Sequence, residues 1–217
     1  MKKIVVSLMV IALVGALIGS GIFAAFSDTE SATNNTFTAG TLNLKVGSAD
    51  PCTETISVST LKPGDTGNAG TWLTRNDGSI AGKLTVAVGT ITNNENTRSE
   101  VETAAGDTTD DPGELGANLK VAFWMDADKS GAWSSGDYYL KSDGTKVSWQ
   151  SGDTTLPSAA YATVDSYASK TWTDAQNVAA TTDAGNFRVE YDLPSATGNT
   201  VQSDSCVFTI TFTLNQQ

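Results

Sequence analysis

The chain has 217 residues, a net charge of −11 at pH 7 and no histidine. The length suits one all-β domain plus a targeting segment, and the negative charge disfavours contact with nucleic acid and anionic lipid headgroups. The absence of histidine removes the commonest general base, the commonest zinc ligand and every Ser-His or Cys-His nucleophile arrangement. A carboxylate pair could still cleave glycosides, but no acid stands in a pattern that marks a cleft. The sequence therefore predicts that the protein is not an enzyme.

Residues 1–24 have the pattern of a secretory signal peptide. Lys2 and Lys3 form its positive start, residues 4–18 are apolar, and small residues precede a predicted cleavage after Ala24. The alternative is an uncleaved membrane anchor, because the 23 residues from Ile4 to Phe26 carry no charge. We expect a secreted protein that contacts a membrane only through its uncleaved precursor.

Apolar and polar residues alternate along much of the remaining chain, which predicts strands with one buried face each. Turn sequences rich in Gly and Asn separate these runs. We expect an all-β fold, an antiparallel β-sandwich or jelly roll, with few and short helices. The predicted strands are residues 42–46, 55–59, 83–88, 119–125, 138–140, 187–193 and 206–214.

Two segments do not follow this alternation. Residues 92–116 carry seven acids and few large apolar side chains, which predicts a long exposed loop. Residues 150–184 contain Tyr161, Tyr167 and Trp172, so we expect this second segment to be better packed.

The chain has two cysteines, Cys52 and Cys206. In an exported protein such a pair predicts a disulfide. It would close a loop of about 155 residues, for which the chain-entropy estimate is on the order of 5 kcal/mol as an upper figure. The alternative is a reactive or metal-binding thiol.

Residues 126–137 fit the twelve-residue pattern of an EF-hand calcium loop, with Gly131 at the sixth position where the backbone must bend. Position twelve is Asp rather than Glu, and predicted strands replace the usual flanking helices. We therefore predict a weak Ca²⁺ site in a β-hairpin, with a Kd of roughly 10⁻⁴ to 10⁻³ M. The alternative is an acidic turn that binds no ion. The predicted ligands are Asp126, Asp128, Ser130, the carbonyl of Ala132, and Asp137.

Two groups of motifs resemble the TasA/camelysin family. The first is FAAFSDTE at residues 23–30 followed by NNTFTAGTLNL at residues 34–44. The second is LKPGD at residues 61–65 followed by NDGSIA at residues 76–81. Together they cover about residues 18–91, and the later chain is similar only in its strand pattern and its Asp-rich turn.

The resemblance implies a jelly-roll subunit of biofilm-matrix fibres or bundling pili, in which each subunit donates its N-terminal segment as a strand to the next. The implied donor is residues 25–36, which begin Ala25, Phe26, Ser27, Asp28, and the implied jelly-roll domain is residues 37–217. Head-to-tail donation builds an open homopolymer, hence an extracellular, cell-surface filament. The alternative is a monomeric, Ca-dependent surface or matrix-binding module. The family name also suggests a metalloprotease, an activity at odds with a chain that has neither an HExxH motif nor a histidine.

Overall fold

The computed structural model describes residues 2–21, 39–50, 52, 58, 60–108 and 110–216. The chain divides into two units, Met1–Ala39 and Gly40–Gln217. In the first unit, helix α1 (Lys2–Gly21) exposes the large apolar side chains described between Ile4 and Val14. Among the helices described, none combines the length and apolarity needed to span a bilayer. The predicted cleavage after Ala24 and the predicted donor segment lie outside the described residues, and both stay predictions.

The second unit is built from short and medium strands with little helix. The described residues form the strands β1 Leu44–Val46, β2 Thr66–Asn76, β3 Gly82–Val88, β4 Thr92–Asn94, β5 Lys120–Asp126, β6 Tyr138–Leu140, β7 Lys146–Ser148, β8 Ala162–Thr163, β9 Thr171–Val178, β10 Thr182–Asp192, β11 Ser205–Val207 and β12 Ile210–Gln216. They also form two α-helices and three 3₁₀ turns, namely α2 Glu100–Ala105, α3 Leu115–Asn118, Ser158–Ala160, Val164–Tyr167 and Asn199–Val201.

The strands form three sheets in which every neighbouring pair is antiparallel. The larger sheet has the order β1-β2-β10-β5-β6-β7, with β8 also pairing with β5. The smaller sheet has the order β12-β3-β9, and β4 pairs with β11 as a two-stranded ribbon. The predicted antiparallel all-β fold is confirmed.

Inward-facing side chains of the two sheets share one hydrophobic core. Val121, Phe123 and Met125 of β5 belong to the same buried cluster as Leu84 and Val86 of β3. Burying an aliphatic or aromatic side chain of this size contributes about 1.5–3 kcal/mol relative to exposure. This shared core fixes the two sheets face to face.

Strand β5 is buried on both faces, so the prediction of one buried face per strand is wrong here. Ala122 and Trp124 point away from the main core and join a second buried cluster with Trp133 and Tyr139. Residues between 147 and 161 pack over this cluster. The predicted packing of the 150–184 segment is confirmed further along the chain, since Tyr167 and Trp172 are buried in the main core.

Several strands differ from the sequence pattern, since β2, β4, β7, β8 and β9 were not predicted. The predicted strand 55–59 lies outside the described residues except for Val58. Strand β2 was not predicted, because Gly67, Asn68 and Gly70 have low β propensity; pairing with β1 and β10 on its two sides overrides that preference. The predicted run 206–214 is divided in two, because β11 pairs with β4 whereas β12 pairs with β3.

The acidic segment 92–116 is not the exposed loop that its composition predicts. It contributes β4, α2 and α3, and three of its acids, Glu95, Glu102 and Asp107, are buried. Helix α2 begins with a capping box, in which Ser99 and Glu102 satisfy each other's backbone N–H groups. The burial of acids here follows from that local hydrogen bonding and from pairing between β4 and β11.

Candidate functional site

A cleft opens where the edge of the larger sheet meets the edge of the smaller one. Its volume is about 760 Å³. Strand β1 is the outermost strand on one side, and β12 is the outermost strand on the other. The apolar walls include Leu44, Val46, Trp72, Phe208, Ile210 and Phe212.

The wall formed by β12 combines apolar side chains with a backbone edge that no other described strand pairs with. Ile210, Phe212 and Leu214 alternate with exposed residues and are themselves only half-buried, although they pack against the main core. Phe212 lies edge-on to Phe187 with ring centroids 4.9 Å apart. Since β12 pairs only with β3 among the described strands, its other side can accept a further strand.

The chain that leads into β1 is held by the NDGSIA motif. The backbone N–H groups of Ser79 and Ile80 both donate to the carbonyl of Thr41, at 2.8 and 3.2 Å, and the N–H of Asp77 donates to the carbonyl of Asn43 at 2.7 Å. A Cβ at Gly78 would overlap the Thr41 carbonyl, so the contact requires glycine there. Residues 41–43 are therefore fixed where the N-terminal segment joins the domain.

The buried amide of Asn76 supports the same loop. Its Nδ2 donates to the carbonyls of Ile80 at 2.8 Å and Ala179 at 3.2 Å, and its Oδ1 accepts from the N–H of Gly78 at 2.9 Å. A buried amide satisfied in this way rigidifies the turn. The motif thus acts as an anchor for the base of the N-terminal segment.

Cys52 and Cys206 are free thiols in the structure, so the predicted disulfide is not formed in it. Cys52 is exposed whereas Cys206 is partly buried, yet both contribute to the lining of the cleft. Burial raises the pKa of the Cys206 thiol to about 11, with Asp165 and Asp204 adding to the rise. The pairing stays a prediction.

We predict that protein purified under oxidising conditions is not alkylated at Cys52 or Cys206 until it is reduced. After reduction at pH 8, Cys206 should react roughly a hundredfold more slowly than a thiol with an ordinary pKa, because its thiolate fraction falls about tenfold per unit of pKa. Peptide mass spectrometry after timed iodoacetamide treatment measures both reactions. Alkylation of both cysteines without reductant would rule out the disulfide.

The predicted calcium loop connects β5 to β6, so its predicted hairpin setting is confirmed. Asp126 and Asp137 are fully buried at its two ends, whereas Asp128 is exposed. The three carboxylates each bring an oxygen to within 4.8 Å of the others. Gly131 adopts a φ of +79° at the bend, a backbone conformation that favours glycine.

Hydrogen bonds from the loop fix each carboxylate. Asp137 accepts from the N–H groups of Ala127 at 2.8 Å and Ser134 at 2.7 Å, and Asp126 accepts from the N–H of Gly131 at 2.9 Å. Hydrogen bonds from Ser130 and Ser134 lower the pKa of Asp128 to about 2, whereas burial raises the pKa of Asp126. Asp128 is therefore charged at neutral pH and available to a cation.

The three predicted carboxylate ligands, Asp126, Asp128 and Asp137, converge. The other two predicted ligands contact each other, since the Ser130 hydroxyl donates to the Ala132 carbonyl at 3.2 Å, and their role as ligands stays a prediction. The second oxygen of Asp126 is buried and has no hydrogen-bond donor among the residues that the structure describes, which fits an ion-binding group. Arg188 lies 3.8 Å from Asp126, and its positive charge lowers the affinity that the three acids could reach.

A second acidic cluster was not singled out from the sequence. Oxygens of Glu95, Glu114 and Asp204 lie within 4.8 Å of one another. Glu95 follows β4, Glu114 precedes α3, and Asp204 precedes β11. The available signal was the density of acids in residues 92–116, which we interpreted as solvent exposure.

A family model described as camelysin metallo-endopeptidase matches residues 1–217. Among curated proteins, none matches this chain. The family description implies a catalytic metal, and catalytic zinc is usually held by histidine, often with a carboxylate or cysteine. The chain has no histidine, and both metal-competent groups of the described residues consist only of carboxylates.

The side chains present therefore do not fit a zinc peptidase centre, and we derive no peptidase step from them. The match itself spans the whole sequence and includes both motif groups at residues 23–44 and 61–81. The chain belongs to the TasA/camelysin family.

Proposed function

We propose that this protein is a structural subunit of an extracellular, cell-surface filament and not an enzyme. The observation that carries the proposal is the cleft bordered by β12, a strand with half-buried apolar side chains and one edge that is unpaired among the described strands. An additional strand can pair with such an edge. The pairing would satisfy the backbone groups of β12, and the added strand would remove its apolar side chains from water.

The proposed occupant is residues 25–36 of a second copy of this chain. Phe26 is a large apolar residue in an otherwise polar stretch that starts Ala25, Phe26, Ser27, Asp28, and it could fill the apolar cleft. The anchor at residues 41–43 fixes the base of this segment to its own domain. Each subunit would then give one strand and receive one.

An added strand beside β12 would extend the smaller sheet from three strands to four and close the sandwich. We propose that the resulting fold is the jelly roll predicted from the sequence, with residues 1–24 removed as a signal peptide. Because the donating and receiving surfaces differ, the contact is heterologous and propagates as an open homopolymer.

We further propose that the Asp126–Asp137 loop binds Ca²⁺ weakly. The convergence of Asp126, Asp128 and Asp137 and the unpartnered oxygen of Asp126 support this proposal. An ion here would join the two ends of the β5–β6 connection, and β5 is central to the larger sheet. Its role would be to stiffen the subunit.

Negative-stain electron microscopy of two chains, residues 25–217 and residues 37–217, tests the proposal. We expect regular filaments from the longer chain and single particles from the shorter one, at matched concentration and with or without calcium. Circular dichroism of both chains controls for folding.

If both chains remain single particles under every condition, the filament proposal fails and the monomeric, Ca-dependent surface module becomes the better description. An unfolded-protein substrate incubated with the longer chain and added zinc tests the other part of the proposal. Reproducible cleavage above that of a heat-denatured control would contradict a purely structural role.

A further inference from the structure

We propose that Glu95, Glu114 and Asp204 form a second cation site, distinct from the Asp126–Asp137 loop, for a hard divalent ion of the size of Ca²⁺. The site would lie between the β4–β11 ribbon and the start of α3. Its role would be structural, since it would tie the acidic segment 92–116 to the wall of the cleft.

Strand pairing forces two of these acids together. In the β4–β11 ladder Asn94 lies opposite Ser205 and Asn93 lies opposite Cys206. Extending that antiparallel register by one residue places Glu95 opposite Asp204. Like charges directly opposite each other destabilise a strand pair, so this arrangement calls for a compensating positive charge.

The described part of the chain supplies no such charge to Glu95. This side chain is only 3% exposed, and neither of its carboxylate oxygens accepts a hydrogen bond from a donor group among the described residues. Its polar contact is with the carboxyl group of Asp204, and a hydrogen bond between the two requires that one of them be protonated. The ion pairs of the described residues likewise give it no lysine or arginine. A buried carboxylate without partners is expensive unless an ion or a proton neutralises it.

The surroundings of Glu95 are themselves acidic. Burial, followed by the nearby carboxylates of Asp204, Glu102 and Asp107, raises the pKa of Glu95 to about 7. Glu102 is fully buried, and its Oε1 has no hydrogen-bond donor in the described part of the chain. Four acids are thus gathered here, and a bound cation would reduce the repulsion among them.

Asp204 is oriented for coordination. Its Oδ2 accepts from the backbone N–H groups of Glu114 at 2.6 Å and Leu115 at 3.0 Å. Its Oδ1 is buried and accepts no hydrogen bond from a donor group among the described residues. One oxygen therefore fixes the side chain to the start of α3, and the other remains available to a ligand.

Backbone also approaches closely at this point. A Cβ on Gly113 would lie 2.8 Å from the Oδ1 of Asp204 and 2.8 Å from the carbonyl oxygen of Asn94. Glycine is thus required for the chain to pass so near the acids. The close approach brings the carbonyl oxygen of Asn94 near the same carboxylate.

The spacing selects the class of ion. Ca²⁺ binds six to eight oxygens at about 2.3–2.6 Å, so two ligands on opposite sides of it lie about 4.6–5.2 Å apart. The three carboxylates lie within 4.8 Å of one another, which fits inside that sphere. Mg²⁺ requires shorter, octahedral contacts and keeps several waters, and zinc favours nitrogen and sulfur ligands.

The site is adjacent to the cleft. Asp204 and Leu115 line it, as does Cys206 two residues along. An ion held by Asp204 would therefore fix one end of the receiving surface. This consequence does not depend on filament formation, since the same ion would stabilise an isolated subunit.

The test is ion counting and thermal unfolding of the full chain, kept in mild detergent because helix α1 is apolar. All variants carry Asp128→Asn, which removes a ligand from the other loop. Native mass spectrometry counts bound Ca²⁺, and scanning fluorimetry compares the Tm in chelator with that in about 5 mM Ca²⁺. Glu95→Gln keeps the side-chain shape and removes the charge, and Glu100→Gln is the matched control because Glu100 is an exposed acid of the same segment.

We expect the Glu100→Gln chain to bind Ca²⁺ at this site and to gain about 3 °C or more in Tm. The Glu95→Gln chain should bind one ion fewer and lose most of that gain. Should Glu95→Gln fail to fold, Glu114→Gln provides the same comparison, because Glu114 is only partly buried. Equal ion counts and equal Tm gains in the Gln variants would overturn the proposal. An equal gain from Mg²⁺ would overturn the assignment to an ion of calcium size.

Discussion

Replacing Ile210 with Asp should abolish filament assembly while leaving the subunit folded. Ile210 is half-buried on β12 and lines the cleft, so the free subunit should lose only about 1–2 kcal/mol of stability. In the closed joint the same carboxylate would be buried beside an inserted strand without a partner. That costs about 4 kcal/mol or more, which weakens each joint roughly a thousandfold.

Thr213→Asp is the matched control. Thr213 lies on the same strand with its side chain exposed, and it does not line the cleft. Sedimentation velocity and electron microscopy should find Ile210→Asp as a monomer and Thr213→Asp as filaments. If the Ile210 variant assembles like the parent chain, β12 is not the receiving edge.

Replacing Asp128 with Asn should remove cation binding at the Asp126–Asp137 loop. Asp128 is the exposed member of the three converging acids, so its loss should leave the fold intact. At about 10 mM Ca²⁺ and a Kd of roughly 10⁻⁴ to 10⁻³ M, Ca²⁺ binding at this loop should stabilise the folded protein by about 1.4–2.7 kcal/mol. The variant should lose most of this stabilisation.

Terbium luminescence measures this site separately, because Trp133 lies within the loop and can sensitise a bound lanthanide. Trp133 packs against Trp124, with ring centroids 5.9 Å apart. Asp143→Asn is the control, since Asp143 is an exposed acid that accepts hydrogen bonds from Thr145 in the neighbouring turn. Asp128 is not a ligand if the Asp128→Asn variant still shows sensitised terbium emission and Ca²⁺ displaces that emission at the same concentration as in the parent chain.

Local patterns predicted the parts of the fold that local physics determines. Alternation identified β3, β5 and β10, because a half-buried strand must repeat every two residues. It failed for β2, which is rich in Gly and Asn and exists through its pairing with β1 and β10. It also failed for the second face of β5, which a distant segment covers.

The two acidic groups show the same contrast. Asp126, Asp128 and Asp137 were predicted together because one short loop carries all three. Glu95 and Asp204 are more than 100 residues apart in the sequence, and only the pairing of β4 with β11 makes them neighbours. Composition alone places acidic residues in solvent and cannot predict that strand pairing.

The anchor at Thr41 has a mechanical consequence. In a filament joined by donated segments, tension would enter each domain through Gly40 and reach the hydrogen bonds from Ser79 and Ile80 to Thr41 first. Behind them lies the β1–β2 ladder, in which Leu44, Lys45 and Val46 pair with Asn76, Arg75 and Thr74. Pulling along β1 would load these bonds together in shear, so that they resist as a group rather than opening one after another. The glycine at position 78 would thereby help to set the breaking strength of the fibre.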